Sequence, residues 1–332
     1  MSEELPIYTP RPALTLVLPT YNEQAVFATL RQRLTAFLAT LDMTVEVIFV
    51  DDGSHDDTPT LIRQWSREDP RIKGVILSRN FGHQIAVTAG LANARGEAVA
   101  VLDADLQDPP ELVLDFYQKM REGFDVVYGV RQNRRENIFK RAAYKIFYRV
   151  LRWLSPLPIP LDSGDFCLMR RRVVQVINEM PERHRFVRGM RTWAGFKQIA
   201  FPYDRPARAA GETHYSFSRL LGLALDGICT FSERPLRWSA VAGLLLALGS
   251  MAYGLYILIW RLISTERVEG FATLAVGMFF LSGVQLLSIG ILGEYLGRVH
   301  NEVKRRPLYV IDERVGFTEA APQPASPNTI NA

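Results

Sequence analysis

Two stretches late in the chain, Trp238 to Trp260 and Phe271 to Gly293, each run 23 residues without a charged side chain. Backbone immersed in hydrocarbon must satisfy its own hydrogen bonds, and about 20 helical residues suffice to cross about 30 Å of lipid. The runs therefore predict two transmembrane helices, with Trp and Tyr near their ends, where such rings favour the interface. The alternative, a buried helical hairpin in a soluble core, suits two uncharged runs of this length poorly. The only basic residues among the ten between the runs are Arg261 and Arg267, whereas Arg234 and Arg237 precede the runs and Arg298, Lys304, Arg305 and Arg306 follow. This bias places both termini in the cytoplasm. The opening residues MSEELPIYTPRP are acidic where an export signal would be basic, which agrees with a cytoplasmic first domain.

Ahead of the spans the pattern changes. ALTLVLP (13–19), VEVIFVD (45–51), IKGVIL (72–77) and AVAVLD (98–103) are short, nearly continuous apolar runs, as expected of strands covered on both faces. Residues 23–41, 56–68, 83–94 and 110–121 have helical spacing between them. The order βαβαβαβα predicts an α/β fold with a mostly parallel, Rossmann-like sheet, whose ligands bind beyond the carboxyl ends of the strands. With 332 residues and 48% hydrophobic content, there is material for one such domain and an appendage. The expected division is an N-terminal tail (1–12), the α/β domain (13–215), a juxtamembrane amphipathic helix (216–235), the two-helix membrane segment (236–298) and a cytoplasmic tail (299–332) with a disordered end.

Each strand is followed by polar residues on that one edge: PTYNE, DDGSHDDT, SRNFGHQ and DADLQDPPE. In an extended chain residues i and i+2 point the same way, so Asp103 and Asp105 present their carboxylates together, and Gln107 adds a neutral oxygen. Hard oxygens of this kind suit Mg2+ or Mn2+ carrying a substrate diphosphate. A lone DxD also fits a solvated turn whose acids cap a helix, and Asp108 ahead of Pro109 and Pro110 reads as that helix's N-cap. After the second strand, Gly53 permits a tight turn and Ser54 or Asp56 can cap the next helix. Asp51 and Asp52 are placed to accept hydrogen bonds from a base or ribose, and Tyr21 and Glu23 are placed for similar work. Gly82 lets the backbone approach a ligand, and Arg79 supplies positive charge near a diphosphate.

Several classes are excluded or disfavoured. A net charge of +4 from 39 Lys and Arg against 35 Asp and Glu does not imply nucleic acid. Cys167 and Cys229 have neither disulfide nor metal spacing, and the five histidines form no HxxxH pair. There is no GxGxxG and no GxxxxGK[ST], which argues against a dinucleotide or P-loop enzyme.

Taken together, PTYNE, VDDGSHDDT, LSRNFGHQ, DADLQDPPE, GVRQNR, DSGDFCLM, RFVRGMRTW and LGEYLGR make the chain, over nearly all of residues 13–310, resemble the family 2 polyprenyl-phosphate glycosyltransferases of GT-A fold. That group includes dolichyl-phosphate mannose synthase and the undecaprenyl-phosphate glucosyl- and aminoarabinosyltransferases. The resemblance implies a nucleotide-sugar donor, UDP-glucose first, a polyprenyl (undecaprenyl) phosphate acceptor, a divalent metal, an inner-membrane location and a homo-oligomer, a tetramer. It implies that Pro19, Tyr21, Glu23, Asp51, Asp52, Arg79 and Asp103 serve the nucleotide and that Asp103, Asp105 and Gln107 hold the metal. Arg131, Arg134, Arg141, Arg205 and Arg208 would meet phosphates, and Asp165 would sit near the reacting oxygen. Relatives often read SKYS where this chain has THYS, so His214 replaces a lysine. Asp105, Asp165 and Arg131 are the catalytic candidates; Asp165 either orients or deprotonates the acceptor, or fixes its own loop through backbone amides.

Between Arg131 and Arg152 eight basic residues face a single acid, and Arg141, Lys145, Arg149 and Arg152 share one helical face. Residues 134–154 are thus expected to form an amphipathic helix lying on an anionic membrane, or else a soluble helix with a basic face. Three rival functions are weaker. A processive polysaccharide synthase would carry QxxRW, which is absent; a lipid transporter would carry ionisable residues in its spans; and a membrane adaptor has no use for Asp103, Asp105 and Gln107.

Overall fold

The computed structural model describes residues 11–132, 163–204, 234–263, 270–317 and 329–331. They divide into two compact units, an α/β unit that includes the residues from Arg305 onward and a helical unit.

In the α/β unit, strands β1 (Leu14–Thr20), β2 (Val45–Asp51), β3 (Ile72–Leu77) and β4 (Ala98–Val101) alternate with helices α1 (Gln24–Ala39), α2 (Thr58–Glu68), α3 (His83–Asn93) and α4 (Leu112–Arg121). Every residue of the four strands is buried, which is why they read as continuous apolar runs. β5 (Val126–Gln132), β6 (Ser163–Arg170), β7 (Gln198–Asp204), β8 (Tyr309–Val315) and β9 (Thr329–Asn331) complete the described sheet in the order β7-β5-β6-β4-β1-β2-β3-β8-β9. Pairings β3–β2–β1–β4 are parallel, β6 runs antiparallel between β4 and β5, and β7 is parallel to β5. The mostly parallel α/β architecture read from the sequence is therefore present.

One core layer packs α1, α2 and α4 on the sheet around Phe27, Phe49 and Trp65, whose rings lie 5.5 to 6.1 Å apart. The other packs α3 and the helices Arg171–Glu179 and Val187–Trp193 on the opposite face. At the amino edge Lys73 and Glu46 form a buried ion pair. Glu46 also accepts from Thr15 Oγ1 at 2.7 Å and from the Arg95 amide at 2.7 Å, so the pair is satisfied.

Two details differ from the sequence reading. Residues 309–315, expected as tail, form β8 and pair antiparallel with β3; the alternation in YVIDERV buries Tyr309 and Ile311 while Glu313 meets Arg63 at 2.8 Å. β4 ends at Val101 and residues 104–105 lie in a turn, so strand parity does not govern Asp103 and Asp105.

The helical unit holds Arg234–Ile263 and Phe271–Val303. Within them Leu236–Ile257 and Val276–Val303 are long and apolar enough to cross a membrane, and none of either apolar window is buried. Leu245, Met251, Phe279 and Leu286 are each well exposed, unlike the side chains of a soluble core hairpin. The two helices are candidate membrane spans. The expected amphipathic helix at 134–154 and nearly all of that at 216–235 lie outside the described residues.

Candidate active site

The carboxyl ends of β1 to β4 share one edge, and because β6 is antiparallel its first residues lie there too: Val101 pairs with Cys167, so Asp165 projects past the end of β4. β5 ends there as well, bringing the backbone of Arg131 to the same edge. Arg134, Arg141, Arg205, Arg208 and His214 fall outside the described residues.

Pro19 is buried within β1, beside Val50 of β2. Tyr21 is exposed and Glu23 half-buried at the strand tip. The loop after β2 locks onto this tip: Asn22 N–H donates to Ser54 Oγ at 2.9 Å, His55 N–H to Asn22 Oδ1 at 2.9 Å, and Glu23 N–H to Thr58 Oγ1 at 3.0 Å. Asp56 accepts from the Thr58 and Gln24 amides, while Ser54 donates to Asp51 at 2.5 Å. Much of SHDDT is thus turn chemistry. Asp51 and Asp52 are both buried, and burial raises both carboxyls above their ordinary range despite the hydrogen bonds they accept. Asp52 accepts the amides of Phe81 and Gly82 at 2.7 and 2.9 Å, so it anchors the loop after β3.

Two glycines are needed here. Gly53 has φ +69°, and a Cβ on it would lie 2.3 Å from the Arg79 carbonyl carbon. Gly82 has φ +100°, a conformation that side chains other than glycine's rarely adopt. Arg79 curls over its own loop, with its guanidinium 4.0 Å from the Phe81 ring centroid.

At the tip of β4, burial first and then the charges of Asp108, Asp165 and Asp105 push the Asp103 carboxyl up to about 6, with His83 opposing. Leu106 adopts φ +62°, a strained conformation for a branched residue. Arg33 holds the turn, reaching the Leu106 carbonyl at 3.3 Å and Glu111 at 2.9 Å. Asp105 Oδ1 accepts the Gln107 amide at 3.1 Å, and Gln107 is buried. Asp108 does not cap α4: Glu111 occupies the N-cap, and Asp108 accepts Tyr203 Oη at 2.7 Å instead. The buried phenol of β7 is the better-placed partner.

Asp165 is held by side chains rather than backbone amides. Arg188 Nε donates to its Oδ1 at 3.1 Å, Gln84 Nε2 to its Oδ2 at 2.8 Å, and His83 Nε2 lies 3.2 Å from the same oxygen. Burial alone would raise this carboxyl, but the His83 hydrogen bond and the charges of Arg188, His83 and Arg191 hold it well below the carboxylate range. His83 is raised: burial opposes its charged form, and Asp165 and Asp103 outweigh that. The adjacency of His83 and Gln84 to Asp165 had no local signal, since more than 80 residues separate them; the HQ of SRNFGHQ at a helix start was the available hint.

The donor set fits a divalent cation in chemistry, because Asp103 is a crowded, half-buried carboxylate whose repulsions a cation would relieve. Among the described residues, however, no three His, Cys, Asp or Glu side chains form a complete cage.

Against known proteins, the profile of glycosyl transferase family 2 matches residues 15–177. The chain is 43% identical over 304 residues to uncharacterized glycosyltransferase YkcC of Bacillus subtilis (strain 168), covering 91% of this chain and 94% of that protein. It is 38% identical over 299 residues to the SfII prophage-derived bactoprenol glucosyl transferase of Shigella flexneri, covering 90% and 97%. Among solved structures, mannosyltransferase PcManGT from Pyrobaculum calidifontis in complex with GDP-Man and Mn2+ aligns over 88% of this chain and 89% of its own at 20% identity. The TM-score of that alignment is 0.40.

Proposed function

Because this chain belongs to the family 2 glycosyltransferases, we propose that it moves one sugar from a nucleotide sugar to the phosphate of a polyprenyl lipid, with inversion at the anomeric carbon. UDP-glucose and undecaprenyl phosphate are the first pair to test, on the strength of the relatives named bactoprenol glucosyl transferase. The observation that carries the reading is the crowded Asp103 carboxylate at the edge where the loops of β1, β2 and β3 converge.

In this reading the nucleoside lies over the β1–β3 tips, against Pro19, Tyr21, Glu23, Asp51, Asp52 and Arg79. Asp103 and Asp105, with Gln107, would hold Mg2+ or Mn2+, which when bound neutralises the departing diphosphate. A phosphate monoester has a second pKa of about 6, so near neutral pH its oxygen is already largely anionic. It attacks the anomeric carbon as the bond to the diphosphate oxygen breaks, and the electron pair leaves with the nucleoside diphosphate. The chain's own tasks are alignment and charge stabilisation, rather than proton removal. Arg131 at the end of β5, with Arg134, Arg141, Arg205 and Arg208, is assigned to phosphate on the family resemblance. The two spans anchor the enzyme in the inner membrane, with both termini cytoplasmic.

The test is turnover of the purified full chain with undecaprenyl phosphate and a panel of UDP-glucose, UDP-GlcNAc and GDP-mannose. A lipid-linked product from one donor, dependent on divalent cation, supports the reading; no lipid product from any nucleotide sugar refutes it.

A further inference from the structure

Four side chains from three distant segments converge on the edge beside β4, and the donor reading uses none of them. Asp165, at the start of β6, joins Arg188 on Oδ1 and Gln84 and His83 on Oδ2. Gln84 also accepts the Val187 amide at 2.9 Å through Oε1, tying the helix that carries Arg188 to the carboxylate that orients it. The carboxylate is 11% exposed, whereas Arg188 is 28% and His83 46% exposed. A shielded anion therefore holds two basic heads at the surface.

Arg188, Arg191 and His83 surround Asp165, and His83 Nε2 also lies 3.8 Å from Asp103 Oδ1, so the imidazole is shared between two carboxylates. Arg191, 1% exposed, lies with its guanidinium 4.8 Å from the Tyr128 ring centroid, and its Nε and Nη2 have no hydrogen-bond partner among the described residues. Asp165, whose two oxygens are held by Arg188, Gln84 and His83, is a poor general base, because taking a proton would mean giving up a bond from Arg188 or Gln84. It is a good scaffold for an anion seat, since a guanidinium held in a fixed orientation offers planar donors suited to phosphate oxygens. The strand order says which phosphate. The nucleotide reading occupies the tips of β3, β2 and β1 and the diphosphate reading the tip of β4, so β6 is the next position outward.

We propose that Arg188 and His83 form the seat for a phosphate monoester, the reacting group of the lipid acceptor, and that Asp165 and Gln84 are positioning residues that hold this pair in place. The proposal rests on the acceptor reading above and names the residues that would carry it out.

The experiment uses the full chain in detergent micelles and two probes: UDP with Mn2+ for the donor site, and citronellyl phosphate, a short polyprenyl monoester, for the seat, with inorganic phosphate as a control. Arg188→Ala and Gln84→Leu should each weaken citronellyl phosphate binding by about tenfold or more while changing UDP binding by no more than about twofold, which also shows that the variants fold. Arg188→Lys should recover part of the loss. In turnover, Gln84→Leu should raise the acceptor KM far more than it lowers kcat. Loss of UDP binding in Arg188→Ala would put the pair on the donor and overturn the proposal. So would an Asp165→Asn variant that loses about a hundredfold or more in kcat with unchanged affinity for citronellyl phosphate, the mark of a base. If the wild type binds UDP but only inorganic phosphate, or neither phosphate, the seat is refuted while the donor reading stands. If it binds citronellyl phosphate through Arg188 yet makes no lipid-linked sugar, the seat stands and the functional reading fails.

Discussion

The Asp52 carboxylate, at the tip of β2, accepts the backbone N–H of Gly82 at 2.9 Å. Its other oxygen takes the Phe81 amide, so one side chain sets the loop that leads into α3 and hence the placement of His83 and Gln84. Asp52→Asn puts an NH2 against one of these donors. It should destabilise the α/β unit by about 1–3 kcal/mol, read as a lower melting temperature, and should weaken UDP binding as the loop loosens. An unchanged melting temperature would show that the loop holds itself.

The amino edge makes a pH prediction. Burial would raise Glu46, but its hydrogen bonds and charge pairing with Lys73, and bonds from Thr15 and the Arg95 amide, hold it below the usual range. A lowered folded pKa contributes stability that is present above the unfolded value and lost as pH falls through the folded one. Lys73 is pushed down by burial, with the hydrogen bond and charge of Glu46 opposing. Glu46→Gln should therefore cost about 3–5 kcal/mol at pH 7, and the gap to wild type should narrow below about pH 4. Thermal unfolding of both proteins across that range checks it.

How far these features could be read in the sequence depended on their range. α1 to α4 and β1 to β4 were legible because each is a continuous local pattern, and their boundaries in the structure fall within a few residues of that reading. β8 was not, because its apolar alternation is short and its partner β3 lies more than 230 residues away. Asp108 was misread for the same reason: DPPE is a good local N-cap signal, while Tyr203, which takes the carboxylate, is 95 residues distant. The strand-end acids were legible as a cluster. The commitment of Asp165 to Arg188 and Gln84 was not, because antiparallel β6 returns to the shared edge only through long-range pairing.

Metal binding should follow the ionisation of Asp103. With its carboxyl pushed up to about 6, protonation competes with the cation as pH falls, so Mn2+-dependent UDP binding should weaken progressively below about pH 6. Asp105→Ala should lower turnover by about a hundredfold or more while the protein stays folded, and EDTA should abolish activity. Full activity in EDTA would contradict the cation's role.

The orientation of the spans can be read chemically. In a Cys229→Ser background, a cysteine placed at Thr265, between the two apolar runs, should react with an impermeant thiol reagent added to intact cells. Labelling only after lysis would reverse the topology.

The most direct test of the whole account is the anomeric proton of the lipid product, recorded by NMR after chromatography of a reaction between UDP-glucose and undecaprenyl phosphate. The account predicts a single sugar joined to one phosphate, with its anomeric configuration opposite to that of the donor. A polymer, a sugar on a lipid diphosphate, or a retained configuration would contradict it.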